Sequence, residues 1–325
     1  MLRMQPFEVH LPSTADEAAR MRAELPDSMY VAGGTDLLPN IKHGLFTPRH
    51  LVSLSHIDGF KGICADEDGT LHIGAGTQLD RIAHSTEVPP GLSLAASTVA
   101  GPQHRRMGTI GGNIMLDTRC LFYNQTQQWR QALGYCLKAE GTFCHVIGSG
   151  KKCVAAHSAD TVPVLIALDA SIEVQTADAR HRISMRELYQ QEGRKAVVLD
   201  ERALLLSVCI PPRSAGHVST YRKVRTRDAI DFPQLGIGLS GAIVQGLVTE
   251  LHAVASALMP QPRVLKGMDF AVGKRLDDAV IEHLSERCYK QVRPQRSLHG
   301  DPNWRRHMAR VEMRRGLEAL RDQAS

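Results

Sequence analysis

Four cysteines lie close together in one segment of this 325-residue chain, and thiolates are side chains well suited to holding soft metal ions. The segment spans 34 residues and contains Cys120, Cys136, Cys144 and Cys153. The other three cysteines are scattered over the rest of the sequence, and the odd total of seven argues against a fully paired disulfide framework. Four thiolates are enough for a tetrahedral zinc ion or for a cubane iron–sulfur cluster.

The spacing of these cysteines bears on which metal they would hold. It reads C-x15-C-x7-C-x8-C, without the C-x2-4-C pair that structural zinc sites commonly use. Wide, irregular spacing in a segment rich in turn residues suits a metal cluster larger than one ion, because its ligands can come from several parts of a loop. The pattern therefore favours a [4Fe–4S] cluster, while zinc and four metal-free cysteines remain open alternatives.

Two glycine pairs form a second candidate for chemistry. Gly33-Gly34 follows the apolar run 29–32, and Gly111-Gly112 stands between Thr109 and Asn113. Glycines after a strand let the backbone approach a ligand closely and present its N–H groups. Such an arrangement suits the pyrophosphate of a nucleotide cofactor.

The elements that must position these residues can be read from periodicity and caps. Thr14 and Glu17 form a capping box that predicts a helix over 14–25, and helical periodicity predicts another helix over 303–322. In the second helix, Trp304, Met308, Val311 and Leu320 are predicted to face the core. Alternating or continuous apolar runs predict strands at 29–32, 71–77, 162–168, 204–210, 220–226 and 235–244.

Composition excludes several classes of protein. The net charge of +5 and the 43% hydrophobic content describe an ordinary globular chain rather than a nucleic-acid binder. No apolar stretch is long enough to span a membrane, and the first residues lack a signal-peptide core. The G-x-G-x-x-G at 236–241 lacks the acidic residue of a dinucleotide fold, so a core strand is favoured there. We expect a soluble, cytoplasmic protein of more than one domain.

The order of the motifs resembles a known family. A-G-G-T-D-L at 32–37, T-I-G-G-N at 109–113, S-A-D at 158–160 and the strand at 205–211 are similar to the FAD-binding medium subunits of molybdenum hydroxylases, the xanthine and carbon monoxide dehydrogenase group. The resemblance implies an α+β protein, with a vanillyl-alcohol-oxidase-type (PCMH) FAD-binding domain over 1–215 in two α/β subdomains, about 1–55 and 56–215. A C-terminal flavoprotein domain with an antiparallel sheet and helices would follow over 216–325.

The resemblance also implies roles for individual residues in FAD binding. The first turn, 32–37, and the second, 109–113, would wrap the pyrophosphate with backbone N–H groups. Asp160 would accept hydrogen bonds from hydroxyls of the flavin chain, Leu205 would pack on the isoalloxazine, and Lys223 would lie near the ring. The full set of expected FAD-binding residues is Val31, Ala32, Gly33, Gly34, Thr35, Asp36, Leu37, Thr77, Gly101, Thr109, Gly111, Gly112, Asn113, Asp160, Leu205 and Lys223.

One departure from the family pattern is informative. Asn113 and Asp160 stand 47 positions apart, much further than the family usually places them, and the extra length, about 114–155, holds the four cysteines. An insertion that brings its own thiolates beside a flavin site indicates an added redox centre. The resemblance then implies electron transfer from ferredoxin through a [4Fe–4S] cluster and FAD. The recipients would be a large molybdopterin subunit and a small subunit with two [2Fe–2S] clusters, in an (αβγ)2 complex.

Three alternatives stay open from the sequence. A medium subunit of another molybdenum hydroxylase would send electrons out through FAD. A stand-alone flavoprotein oxidase would need acid/base residues in its C-terminal domain, and 217–325 shows no such constellation. A zinc-stapled partner-binding module would carry the cysteines without redox chemistry.

Overall fold

The first layer is a small parallel sheet at the N-terminal end of residues 4–324, the part of the chain that our computed structural model describes. Its three strands lie in the order β1-β3-β2: β1 (Glu8–His10), β2 (Ser28–Val31) and β3 (His50–Ser53). Two helices accompany it, α1 (Ala15–Glu24) and α2 (Leu37–Lys42). The predicted capping box is confirmed, because the Thr14 hydroxyl accepts a hydrogen bond from the Glu17 N–H at 3.1 Å.

A five-stranded antiparallel sheet forms the second layer, in the order β4-β5-β8-β6-β7. Its strands are β4 (Ile63–Ala65), β5 (Leu71–Gly74), β6 (Ser171–Gln175), β7 (Arg180–Ser184) and β8 (Leu204–Ile210). Between β5 and β6 the chain forms the helices α3 (Leu79–Ala83), α4 (Pro90–Ser97), α5 (Pro102–Met107), α6 (Ile110–Ile114), α7 (Gln127–Ala132) and α8 (Val162–Ala167). The cysteine segment therefore lies outside the sheet, between α6 and α8.

The strand prediction for 162–168 is wrong, because this run forms helix α8. Every residue of the helix is buried, so no polar face marks its helical period. Pro163 stands in the first turn, where a missing N–H costs nothing. The helix packs against the next domain closely enough that a side chain at Gly238 would lie 2.5 Å from the Pro163 backbone.

The C-terminal part is a four-stranded antiparallel sheet covered by two helices. The order β12-β11-β10-β9 comprises β9 (His217–Val224), β10 (Leu235–Val244), β11 (Leu247–Ser256) and β12 (Arg263–Val264). The G-x-G-x-x-G run lies within β10, as the core-strand interpretation predicted.

The two C-terminal helices are α9 (Asp278–Gln291) and α10 (Pro302–Gln323). Helix α10 is present as predicted and Leu320 is buried, but Trp304 and Val311 are exposed. Its buried face is instead formed by Arg305, Ala309, Glu312, Met313, Gly316, Leu317 and Leu320. Among the described residues, no helix combines the length and apolar character needed to cross a bilayer.

Candidate functional site

A deep cleft of about 1160 Å³ separates the small parallel sheet from the five-stranded sheet. Both glycine turns line it, and residues 230–232 of the C-terminal part close one side. Thirteen of the sixteen predicted FAD-binding residues line this cleft: Val31, Ala32, Gly33, Gly34, Thr35, Asp36, Leu37, Thr109, Gly111, Gly112, Asn113, Asp160 and Leu205. The fold therefore brings together motifs that lie far apart in the sequence.

The first glycine turn is shaped by close backbone contact. Gly34 adopts a left-handed conformation with φ of +68°, which favours glycine. A side chain on Gly33 would lie 1.9 Å from the carbonyl oxygen of Met107 in α5. Within residues 4–324, the N–H groups of Gly33, Gly34 and Thr35 donate to no protein acceptor. Unused N–H groups on a turn that begins with two glycines suit the binding of a pyrophosphate.

The second turn differs from the first in how its backbone is bonded. Three of its N–H groups have protein acceptors, since Gly111 donates to the Ala75 carbonyl at 2.9 Å and Gly112 donates to the Thr109 hydroxyl at 3.1 Å. Asn113 likewise donates to the Thr109 carbonyl at 2.9 Å. Contact of this turn with the pyrophosphate therefore stays a prediction. The turn lines the cleft with little side-chain bulk, and Gly111 packs directly on Ala75.

Asp160 forms a buried polar centre where the two domains meet. Its Oδ1 accepts a hydrogen bond from the Tyr221 hydroxyl at 2.8 Å, and its Oδ2 accepts one from Lys223 Nζ at 3.0 Å. Lys223 also donates to the Thr98 carbonyl at 2.9 Å. Burial raises the pKa of Asp160 and lowers the pKa of Lys223, while each charge opposes the shift of the other.

Three predicted residues lie behind the cleft wall. The Thr77 hydroxyl bonds both the N–H and the carbonyl of Gly62, so it braces the backbone. Gly101 precedes α5 as its N-terminal cap residue. Lys223 reaches the cleft only through Asp160, and its predicted closeness to a flavin ring stays a prediction.

Arg119 is a lining residue that the sequence reasoning missed. Its guanidinium forms an ion pair with Asp36 of the first turn and lies 4.2 Å from the ring centre of Phe232. Burial lowers its pKa to about 10, still well above neutrality, so the side chain remains a cation. The signal that could have found it is its position, directly before Cys120.

The four clustered cysteines converge on a small pocket of their own, which also contains Lys138 and His145. All four are buried, and none forms a disulfide. Burial raises the pKa of the Cys120 thiol to about 12, and the other three cysteines add to that shift. Within the described chain, no three of these sulfurs lie within 4.8 Å of one another.

The two ends of the cysteine segment are hydrogen-bonded to each other at the point where the segment departs from the rest of the fold. Arg119 and Ala156 exchange two backbone hydrogen bonds, each of 2.8 Å. The Thr118 hydroxyl donates to the Gly193 carbonyl at 2.6 Å, and Lys138 Nζ donates to Asp117 at the same distance. The segment is therefore a closed loop, attached beside the cleft.

His157 lies in the short connection between Cys153 and Asp160. Its ring is 1% exposed and packs on Tyr189, with ring centres 4.5 Å apart. Neither ring nitrogen has a hydrogen-bond partner among the described residues, and burial lowers its pKa to about 4. The side chain is therefore neutral at physiological pH.

Comparison with known proteins agrees with this architecture. Residues 5–213 match a family described as the FAD-binding domain in molybdopterin dehydrogenase, and residues 219–320 match the CO dehydrogenase flavoprotein C-terminal domain. These matches define a two-part flavoprotein. The chain belongs to the FAD-binding medium subunits of the molybdenum hydroxylase family.

Individual relatives span most of the chain. The aldehyde oxidoreductase FAD-binding subunit of Escherichia coli K12 is 31% identical over 255 residues, which cover 74% of this chain and 78% of the relative. The xanthine dehydrogenase FAD-binding subunit of Escherichia coli O157:H7 is 26% identical and covers 92% and 90%. Among solved structures, carbon monoxide dehydrogenase from Hydrogenophaga pseudoflava superposes with a TM-score of 0.80, at 22% identity, and covers 99% of this chain and 100% of that one. The predicted fold class is confirmed.

Proposed function

We propose that this chain is an electron-transfer subunit that holds FAD in the cleft and one [4Fe–4S] cluster on Cys120, Cys136, Cys144 and Cys153. In this proposal it corresponds to the β subunit of 4-hydroxybenzoyl-CoA reductase, which removes the para-hydroxyl of its substrate to give benzoyl-CoA and water. Its partners would be a large molybdopterin subunit and a small subunit with two [2Fe–2S] clusters, in an (αβγ)2 complex. Reduced ferredoxin would be the electron donor.

The convergence of four buried cysteines beside the flavin cleft is the observation that carries this proposal. Four buried thiols without a disulfide supply the number of ligands that a cubane cluster needs, each thiolate binding a different iron. Thiols with raised pKa values in a buried pocket also gain from a cation that removes their protons.

The protein residues around both pockets supply the environment for electron transfer. When bound, FAD exchanges one or two electrons, and a cysteine-ligated cluster exchanges one. The unused N–H groups of Gly33, Gly34 and Thr35 would hold the pyrophosphate, and the cation of Arg119 would balance the negative charge of Asp36 in the same turn. Burial raises the pKa of the Cys153 thiol, and the nearby Lys138 cation opposes that shift.

Metal and sulfide analysis of the anaerobically purified complex tests the cluster. We expect about four irons and four sulfides per chain beyond those of the partner subunits. A broad visible absorbance and an EPR signal on reduction should accompany them. Stoichiometric zinc without that absorbance would reject the cluster and leave a zinc-stapled loop.

A second candidate function comes from the relatives, whose names describe xanthine dehydrogenase, aldehyde oxidoreductase and carbon monoxide dehydrogenase. In this alternative the same FAD subunit passes electrons outward from a substrate oxidised elsewhere in the complex. Mixing the complex with reduced ferredoxin and 4-hydroxybenzoyl-CoA separates the two. Formation of benzoyl-CoA supports the reductase, whereas flavin reduction by a xanthine or aldehyde substrate supports the alternative.

The proposal extends to two further points. We place the boundary between the FAD-binding and C-terminal domains near residue 215, in the segment that joins β8 to β9. We also propose a cytoplasmic location, because all seven cysteines are unpaired and reduced thiols are typical of reducing compartments.

A further inference from the structure

A group of metal-ligating side chains lies on the small parallel sheet, away from the cleft and from the cysteine pocket. Strands β1 and β3 run parallel, with Glu8 opposite His50 and His10 two residues further along β1. Because side chains alternate between the two faces of a strand, Glu8 and His10 project from the same face. The register places His50 beside both of them.

The ligand atoms of these three residues converge. The distance from His10 Nε2 to His50 Nδ1 is 3.2 Å, and the distance from His50 Nδ1 to a Glu8 carboxylate oxygen is 3.4 Å. All three ligand atoms lie within 4.8 Å of one another, and no other set of three among the described residues does so. His50 Nδ1 therefore faces two groups at once, although a neutral ring nitrogen can donate only one proton.

These separations match those around a tetrahedral metal ion. With Zn–N and Zn–O bonds of about 2.0–2.1 Å, ligand atoms in a tetrahedral site lie about 3.3 Å apart. Two imidazoles and one carboxylate form a common zinc ligand set that leaves the fourth position for water. Thiolates are absent from the group, so a borderline divalent cation is favoured over a soft one.

We infer that Glu8, His10 and His50 form a binding site for a divalent transition cation of the Zn²⁺ class. Glu8 is exposed and the two histidines are partly buried, so a cation can enter from solvent. The bound ion would link β1 to β3 through side chains, in addition to the backbone pairing that already joins the two strands. Strand β1 has only three residues and lies at the edge of its sheet, so such a joint would hold the N-terminal strand in place.

Titration of the full-length chain, produced without a polyhistidine tag, tests this site with Zn²⁺ and Co²⁺ as probes. We expect one equivalent of Zn²⁺ to bind, and we expect H10A and H50A each to weaken binding by more than ~10-fold. His181→Ala is the control, because His181 is a strand histidine that belongs to no such group among the described residues. That variant should bind Zn²⁺ like the original chain.

The Co²⁺ spectrum separates this site from the cysteine pocket. Co²⁺ on imidazole and carboxylate ligands gives weak visible bands, whereas thiolate ligands add an intense charge-transfer absorption. We expect the weak bands to persist in Cys136→Ser and to disappear in H50A. Unchanged Zn²⁺ affinity in H10A and H50A, absence of Zn²⁺ binding, or a Co²⁺ spectrum that consists only of thiolate absorption would each overturn the site. Repeating the Zn²⁺ titration in Cys136→Ser, with and without H50A, separates binding at this site from binding at thiols that hold no iron.

Discussion

The cleft proposed to hold FAD and the cysteine pocket lie side by side but are built from different parts of the chain. The cleft is lined by backbone turns from several parts of the chain, and its critical positions are glycines such as Gly33 and Gly34. The pocket is lined by side chains from one continuous loop, and its critical positions are four thiols. A backbone site fails when a side chain is added, whereas a side-chain site fails when one is changed. The two regions should therefore respond to mutation independently.

Cys136→Ser provides the largest separation of the two regions. A serine oxygen is a poor ligand for a cluster built on thiolates, so we expect loss of the iron and its visible absorbance. FAD content should stay near one per chain, because residue 136 does not line the cleft. Iron and flavin analysis of the same sample measures both. Loss of FAD together with iron would show that the loop is needed to form the cleft.

Gly33→Ala makes the reverse test. The added carbon would lie 1.9 Å from the Met107 carbonyl oxygen, so the first turn must move away from α5. Overpacking of this kind costs about 1–3 kcal/mol, and we expect FAD affinity to fall by roughly 10- to 100-fold. Calorimetric titration of the flavin-free protein with FAD measures the change.

Gly148→Ala is the matched control for that variant. A carbon added at Gly148, in the cysteine loop, meets nothing within 4 Å. FAD affinity and iron content should both stay unchanged. Equal loss of FAD in the two alanine variants would contradict a cleft shaped by close backbone contact.

The buried His157, which lies between the cysteine loop and Asp160, should make the free energy of unfolding depend on pH. Its folded-state pKa of about 4 lies below the ordinary 6.5, so the neutral ring is favoured in the folded chain. The stability it contributes is present above pH 6.5 and is lost as the pH falls towards 4, by about 3 kcal/mol in total. His157→Phe should remove that part of the slope in urea unfolding.

Arg119→Met gives the smallest expected effect and tests the contact between loop and cleft. Without the guanidinium, Asp36 places an unbalanced negative charge in the turn that would receive the pyrophosphate. We expect FAD affinity to fall about 10-fold, which corresponds to about 1.4 kcal/mol, while iron content stays the same. Arg119→Lys, which keeps the positive charge, should retain most of the affinity. An unchanged dissociation constant for FAD in Arg119→Met would show that the ion pair only holds the loop.

Much of the fold followed from local signals in the sequence. The Thr14 cap began α1, and helical periodicity located α10. The run 162–168 was misassigned because a segment buried on every side shows no period, so helix and strand look alike. Trp304 and Val311 were assigned to the core on hydrophobicity, yet the face that the helix buries contains Ala309, Met313, Gly316, Leu317 and Leu320 together with the polar Arg305 and Glu312.

Only the motif residues of the site could be predicted from the sequence. The glycine turns could be found from sequence, but the engaged N–H groups of Gly111 and Gly112 depend on where Ala75 and Thr109 lie. Arg119 and Tyr221 carry no motif, and their contacts with Asp36 and Asp160 join distant parts of the chain. The Glu8–His10–His50 group was invisible for the same reason, since 40 residues separate its histidines and only strand register brings them together.

The paired ends of the cysteine loop have a consequence for how such a chain can change over time. Because Arg119 and Ala156 bond to each other, the 36 residues between them leave the fold and return to it at a single point. The loop is therefore an insertion with one defined point of attachment. We expect a framework of this kind to tolerate the gain or loss of the whole loop in one genetic event.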